Sequence, residues 1–116
     1  MISNEVVVEI TGIKGCVGVG SEKVNQTGRF KQNYHKGEKI ILIANTYMDL
    51  SPQKREGEMD FSSEVKKYFE ALGVCCLTSK TLFELWKDVV ARKKDSKGIV
   101  KKILTKNGEL MLSEFE

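Results

Sequence analysis

The sequence predicts an α/β fold in which a small mixed sheet with a βαβ core is flanked by helices. The chain has 116 residues, of which 41% are hydrophobic and 30% are charged, and this composition suits a single globular domain. Two apolar runs, residues 5–10 and 39–45, are separated by a polar stretch long enough for a helix. Strand, helix and buried strand in this order are typical of a βαβ unit.

The first predicted strand covers residues 5–10 and places a carboxylate among apolar side chains. Successive strand side chains point to opposite faces. Val6, Val8 and Ile10 therefore share one face, and Glu9 lies on the other. A carboxylate in an apolar strand costs free energy unless it is paired, hydrogen-bonded or bound to a metal ion. Glu9 is therefore a candidate site residue.

A simpler interpretation of Glu9 is a strand-end carboxylate that reaches solvent or pairs with Lys14 or Lys23. The glycine-broken loop behind the strand leads to a predicted helix over residues 21–35, with Ser21 as a plausible N-cap and Gly37 as its stop. Four side chains fall on one side of this helix at three- and four-residue steps, and they are Lys23, Gln26, Phe30 and Tyr34. This mixture indicates a helix that packs partly against something hydrophilic.

The middle of the chain alternates between strands and helices. The continuous apolar run Lys39–Asn45 predicts a strand covered on both faces, as in parallel sheets. A long polar loop covers residues 46–60, and a helix follows over residues 61–72. Gly73 ends that helix, and residues 74–78 form a short strand.

Two elements complete the predicted fold. The strongest amphipathic pattern predicts a helix over residues 81–93, with a capping box from Thr81 to Glu84. Its buried stripe would consist of Leu82, Leu85, Trp86, Val89 and Val90. Residues 99–112 are predicted to form a C-terminal β-hairpin, because Asn107-Gly108 is the preferred pair for a type I′ turn.

Cysteine content and charge narrow the class of protein. Cys75 and Cys76 are adjacent in a predicted buried strand, so they face opposite ways and do not readily pair. The three cysteines and the single His35 give no zinc ligand set, and we predict reduced thiols in a cytoplasmic protein without a signal peptide or membrane span. A net charge of +3 permits contact with nucleic acid, although dedicated nucleic-acid binders are usually more basic.

Several short motifs together resemble the restriction-endonuclease-like fold of the PD-(D/E)xK nuclease superfamily. They are Val-Val-Glu-Ile-Thr-Gly with a lysine shortly after it, Val24-Asn25-Gln26, Ile-Leu-Ile-Ala-Asn, and Leu77-Thr78-Ser79 leading to Leu82-Phe83-Glu84-Leu85. The resemblance covers about residues 5–90. It implies that residues 1–116 form a domain similar to the C-terminal part of a larger nuclease-like domain.

In that superfamily an Asp on one strand and an Asp or Glu on the next hold Mg²⁺, and a lysine two residues further on helps to orient the attacking water. The resemblance implies that Glu9 is the second of these carboxylates and that Gln26 faces the site from the helix. Thr11 occupies the position of the superfamily lysine, so Lys14 would have to reach back from the loop. The Asp-bearing strand has no counterpart before residue 5. Phosphodiester hydrolysis, Mg²⁺ and a nucleic-acid partner are the expectations that follow.

Two other classes of function are open. One is a non-catalytic, nuclease-derived binding or dimerisation module, because a sheet without the β-meander strands exposes an edge that invites pairing with another chain. We expect such a homodimer to form through the strand at residues 5–10. The other is a flavodoxin-like binder of a small ligand at the carboxyl ends marked by Ile10 and Asn45. A parallel sheet without a meander would be its structural mark.

Overall fold

The computed structural model describes residues 6–33, 39–55 and 57–115. Its strands are β1 (Val6–Gly12), β2 (Lys39–Asn45), β3 (Cys75–Thr78) and β4 (Gly108–Glu109). Its helices are α1 (Glu22–Asn33), α2 (Pro52–Arg55), α3 (Ser63–Leu72), α4 (Ser79–Val90) and α5 (Ser96–Thr105), followed by the 3₁₀ helix Leu112–Phe115. The α/β class and the βαβ core predicted from the sequence are confirmed.

The described strands form one sheet in the order β1-β2-β3-β4, and every pair is parallel. The prediction of a mixed sheet is therefore wrong. Among the described strands the sheet is parallel and has no meander, which is the structural mark expected of a flavodoxin-like ligand binder. Their consecutive order nevertheless differs from the 2-1-3-4-5 order of flavodoxin-like folds.

The two faces of the sheet are covered unequally. On the first face, α1 packs against β2 and α3 packs against β3 and β4, around a core that includes Leu42, Phe61 and Phe69. On the second face a smaller core surrounds Ile41 and Leu77, with Ile103 of α5 packed against it. The connection from β3 to β4 contains α5, which lies on the second face, whereas the β1–β2 and β2–β3 connections cross the first face. All three connections step in the same direction along the sheet, so the last one has the opposite hand to the other two.

Part of the second face lies open over β1. Val6, Val8 and Ile10 are 44%, 51% and 71% exposed, although parallel sheets are ordinarily covered on both faces. The molecule measures 43 × 36 × 19 Å, and its short dimension is consistent with a second helical layer that covers only part of the sheet. An apolar strand face is thus left at one end of the sheet.

Local signals explain why α3 ends at Leu72, as predicted, and why it begins at Ser63 and not at residue 61. The Val65 amide donates to the Ser62 hydroxyl at 3.3 Å, which caps the N-terminus of the helix. Gly73 follows the last turn with a φ of +77°, the left-handed conformation that glycine adopts without strain. Val65 and Phe69 are fully buried on the inward side.

The prediction for α4 is correct as to the helix and as to the burial of Leu85, and wrong as to its cap and as to most of its buried stripe. Thr78 is the N-cap, and its hydroxyl accepts a hydrogen bond from the Thr81 amide at 3.1 Å. Within the helix Leu85 and Asp88 are buried, whereas Trp86 is 57% exposed. The exposed large hydrophobic side chains of this helix are Leu82, Phe83, Trp86 and Val90. The helix contacts β2, β3 and the C-terminal 3₁₀ helix, and it does so through a narrow strip that includes Leu85 and Asp88.

The predicted C-terminal hairpin is not formed. Residues 96–105 are the helix α5, and Gly108 begins β4, which runs parallel to β3. Lys39 explains part of this arrangement, because its ammonium donates to the backbone carbonyls of Gly73 and Lys106 and to Asn107 Oδ1. These contacts fix the Asn107-Gly108 pair beside the sheet, where it leads into a parallel strand.

Two further expectations concern thiols and membranes. All three cysteines are free, as predicted, and Cys75 and Cys76 are buried on opposite faces of the sheet. No helix within the described ranges is long and apolar enough to cross a bilayer.

Candidate functional site

Glu9 lies on the covered face of β1, opposite α1. The strand alternates between exposed and half-buried side chains, and Glu9 shares the half-buried side with Val7 and Thr11, the grouping that the alternation predicted. Its Oε2 atom accepts a hydrogen bond from the Thr27 hydroxyl at 2.9 Å. Thr27 is fully buried. The carboxylate is therefore held by a neutral hydroxyl from the helix that packs over it.

The structure does not bring Glu9, Lys14 and Gln26 into one constellation. Lys14 is 81% exposed and pairs with Asp49 at 3.6 Å, across the two loops that follow β1 and β2. Gln26 is exposed and donates to Glu22 at 3.4 Å along the helix surface.

The inward side of α1 explains the position of Gln26. The helix buries Val24, Thr27 and Gly28, so Gln26 turns outward. Gly28 permits a close approach to α3, because a Cβ atom there would lie 2.0 Å from the Tyr68 hydroxyl. The predicted end of this helix near Gly37 lies outside the described residues. In the sequence, only the spacing of residues 24, 27 and 28 marked the inward side of α1. The helix has few apolar residues, so its hydrophobic pattern did not reveal that side.

The described residues fit a protein-only Mg²⁺ site poorly. Mg²⁺ prefers six oxygen ligands in near-octahedral geometry and is usually held by one or two carboxylates together with substrate oxygens. Glu9 is already hydrogen-bonded, and no group of three His, Cys, Asp or Glu side chains in the described ranges converges as metal ligands. A metal at Glu9 would need further oxygens from another strand or from a substrate.

The carboxyl ends of the strands form a second candidate site. The loops after β1 and β2 are tied together there, because the Val17 amide donates to the Asp60 carbonyl at 2.8 Å and the Ser62 amide donates to the Val17 carbonyl at 2.9 Å. The Thr46 hydroxyl, at the end of β2, donates to Asp60 Oδ1. The Ser79 hydroxyl donates to Asn45 Oδ1 at 3.5 Å and links the ends of β2 and β3.

A cavity of about 280 Å³ opens beside these loop connections. Three carboxylates, three hydroxyls and one ammonium group line it, and they belong to Asp60, Glu84, Glu109, Thr78, Thr81, Ser113 and Lys80. Burial raises the pKa of the Glu109 carboxyl, and the ammonium of Lys66, 3.4 Å from it, opposes that shift. The lining is therefore rich in hydrogen-bond acceptors. It suits an uncharged or cationic polar ligand better than a phosphate.

Cys16, in the loop after β1, is not activated as a nucleophile. Burial raises the pKa of its thiol, and the carboxylates of Asp60 and Glu64 raise it further. Its Sγ atom lies 3.7 Å from the Val17 carbonyl, to which the thiol donates. A thiol with a raised pKa is a poor source of thiolate at neutral pH.

The third candidate is the open edge of β1. The Ile13 amide donates to the Asn45 carbonyl at 3.0 Å, and this bond continues the β1–β2 ladder. Backbone groups of alternate residues in a parallel ladder point to the same neighbour. Val6, Val8 and Ile10 therefore direct their N–H and C=O groups away from β2. Within the described residues no strand pairs with this edge.

No family model, no curated protein and no solved structure matches the chain.

Proposed function

We propose that this chain is a nuclease-related, non-catalytic association module whose β1 edge accepts a further β-strand. One observation carries the proposal: Val6, Val8 and Ile10 combine backbone groups that face the open edge with apolar side chains that are 44–71% exposed. Strand addition to a sheet edge is a common recognition mode, in which main-chain hydrogen bonds supply much of the affinity.

Within residues 6–33, 39–55 and 57–115, the open edge lacks the features that ordinarily prevent strand pairing. Natural sheets protect their edges with lysine, proline, bulges or a covering element. The edge-facing residues of β1 are two valines, an isoleucine and, at the end of the strand, Gly12, and the charged Glu9 is directed toward α1 instead. The regular seven-residue pairing with β2 shows no bulge.

Binding of a strand peptide tests the proposal. We expect a peptide with the sequence of residues 5–12, flanked by lysines for solubility, to shift the backbone amide resonances of Val6, Val8 and Ile10 saturably. The amides of Val7 and Glu9 should shift less, because they point toward β2.

Two lysine substitutions make this test specific. Val8→Lys should abolish the shifts, because an edge lysine opposes strand addition. Val100→Lys is the matched control, since Val8 and Val100 are both 51% exposed and Val100 lies on α5. Unsaturable shifts, or equal binding by the Val8→Lys variant, would contradict the proposal.

A second candidate function is small-ligand binding at the carboxyl edge, and the cavity beside Thr78 favours it. Because the lining carries three carboxylates and only one ammonium group, we expect nucleosides to bind in preference to the corresponding nucleotides. Isothermal titration would measure both, with Thr81→Val as the test variant and the exposed Thr105→Val as its control. Tighter binding of the nucleotide, or no loss in Thr81→Val, would argue against this candidate.

The relation to Mg²⁺-dependent nucleases, and with it a nucleic-acid partner, is supported by the motif resemblance. Glu9 is the residue on which catalysis would depend. A strand that brings an additional carboxylate next to Glu9 would have to pair with the open edge of β1. Strand addition and metal binding would therefore take place at the same site.

A further inference from the structure

We infer that the strand accepted at the β1 edge is β1 of a second copy, paired antiparallel about a twofold axis centred on Val8. This inference rests on the proposed function, and it adds the identity and the register of the partner. The axis would stand perpendicular to the sheet and join two four-stranded sheets into one of eight strands.

The direction of the pairing follows from the backbone. In a parallel ladder, two residues that lie opposite each other do not both direct their backbone groups at one another. A twofold axis makes the two copies of Val8 equivalent, so both direct their groups to the shared edge. Only antiparallel pairing satisfies that condition, because its hydrogen-bonded pairs exchange both bonds.

The register follows from side chains and from the length of the edge. Centring the axis on Glu9 would place two carboxylates directly opposite each other, which is destabilising. Centring it on Ile10 would pair Val8 with Gly12 and leave Val6 unpaired. Centring it on Val8 pairs Val8 with itself and Val6 with Ile10, so the three apolar edge-facing residues of each copy are hydrogen-bonded, by about six bonds in total, and only Gly12 is left outside the pairing.

The same register matches the apolar side chains. An axis perpendicular to the sheet keeps corresponding faces on the same side, so Val6, Val8 and Ile10 of both copies form one continuous stripe. Valine and isoleucine are favourable cross-strand neighbours. Each of these side chains is at least 44% exposed in the single chain and loses solvent contact along the new seam.

Engineered disulfides test the register directly. In a Cys16→Ser background we expect Val8→Cys to give a covalent dimer on mild oxidation, because the paired Cα atoms would lie about 5.5 Å apart, within the range that disulfides span. Ile10→Cys is the control. Two copies of residue 10 would be offset by four residues, about 14 Å along the strand, and they should stay unlinked.

The control also separates ordered pairing from random collision. Ile10 is 71% exposed and Val8 is 51% exposed, so collisions would link the residue-10 thiols faster. Linking of Val8→Cys alone supports the inference. Linking of Ile10→Cys alone overturns the register and leaves strand acceptance intact. A chain that is monomeric at millimolar concentration and still binds the strand peptide overturns the second copy as partner, whereas a monomeric chain that does not bind the peptide overturns the proposed function itself.

Discussion

Glu9 is coupled to α1 through one hydrogen bond, and this bond has an energetic consequence that can be measured. Thr27 is fully buried and donates to Glu9 Oε2 at 2.9 Å. Hydrogen bonds to charged groups contribute about 1.5–3 kcal/mol, and water reaching the half-buried carboxylate reduces that contribution.

A double-mutant cycle isolates this contribution. We expect Glu9→Val and Thr27→Val to be non-additive by about 1–2 kcal/mol in the free energy of unfolding, measured by urea denaturation. Valine suits both positions, because it favours strands and has nearly the shape of threonine. Additivity within about 0.5 kcal/mol would show that the hydroxyl only fills space.

The three thiols differ in accessibility, and their reactivity should follow. Burial raises the pKa of Cys75 to about 11 and raises the pKa of Cys76 further. Both are therefore neutral thiols at pH 8 and fully buried, whereas Cys16 is half-buried. We expect a thiol reagent at pH 8 to modify one cysteine per native chain and all three after unfolding.

Cys16→Ser provides the control for the thiol prediction. The native variant should show no fast-reacting thiol, and its two remaining thiols should react only on unfolding. Rapid modification of Cys75 in the native chain would mean that β3 opens far more readily than its burial indicates. Because the pKa of Cys16 is also raised, its rate should continue to increase above pH 9.

At the scale of elements, a helix or strand was predicted correctly where the residues that determine it lie close to it in the sequence. The cap and the stop of α3, Ser62 and Gly73, act within one helical turn, and the predicted helix matched. For α4 the periodicity identified the helix, but the side that it buries is set by the strands it meets, and Trp86 consequently lies outside. A pattern of apolar residues does not reveal how many residues on one side of a helix the core will bury.

The C-terminal segment shows a non-local cause. Asn107-Gly108 is a strong hairpin signal, and Gly108 does adopt a positive φ of +93°. The direction of the chain after it is set instead by pairing with β3 and by Lys39, which lies 68 residues before Asn107. The lysine that holds the segment is too distant in sequence for the local pattern to include it.

Gly108 is expected to be essential to β4. A Cβ atom there would lie 2.6 Å from Glu70 Cγ, and the positive φ adds backbone strain. Gly57 has a similar φ of +80° with nothing within 4 Å, so Gly57→Ala reports the strain alone. We expect Gly57→Ala to cost about 1 kcal/mol of unfolding free energy and Gly108→Ala clearly more.

Chemical denaturation of the two alanine variants measures this difference. Hydrogen exchange should also show faster exchange at the Leu110 amide in Gly108→Ala, because that amide donates to the Cys76 carbonyl at 2.8 Å across the β3–β4 pair. Equal costs for the two variants would mean that Glu70 moves aside without penalty and that Gly108 matters only through its φ.

At the scale of the whole molecule, the sequence predicted strands and helices better than their assembly. The continuous apolar run of β2 indicated a parallel sheet, and the structure confirms it for every described pair. The candidate site was predicted only in part. Glu9 lies on the expected face, but its partner is Thr27, because the inward side of α1 is determined by packing against β1 and α3.

This separation of the candidate residues leads to a prediction about catalysis. Metal-dependent phosphodiester cleavage needs a carboxylate-bound metal and an oriented water in one place. Lys14 pairs with Asp49, and Gln26 faces solvent beside Glu22, so neither supports Glu9. We expect no nicking of supercoiled plasmid or single-stranded DNA in Mg²⁺ or Mn²⁺, by the wild type or by Glu9→Gln. Nicking that Glu9→Gln abolishes would establish a nuclease and would require its missing ligands to come from a strand added at the β1 edge.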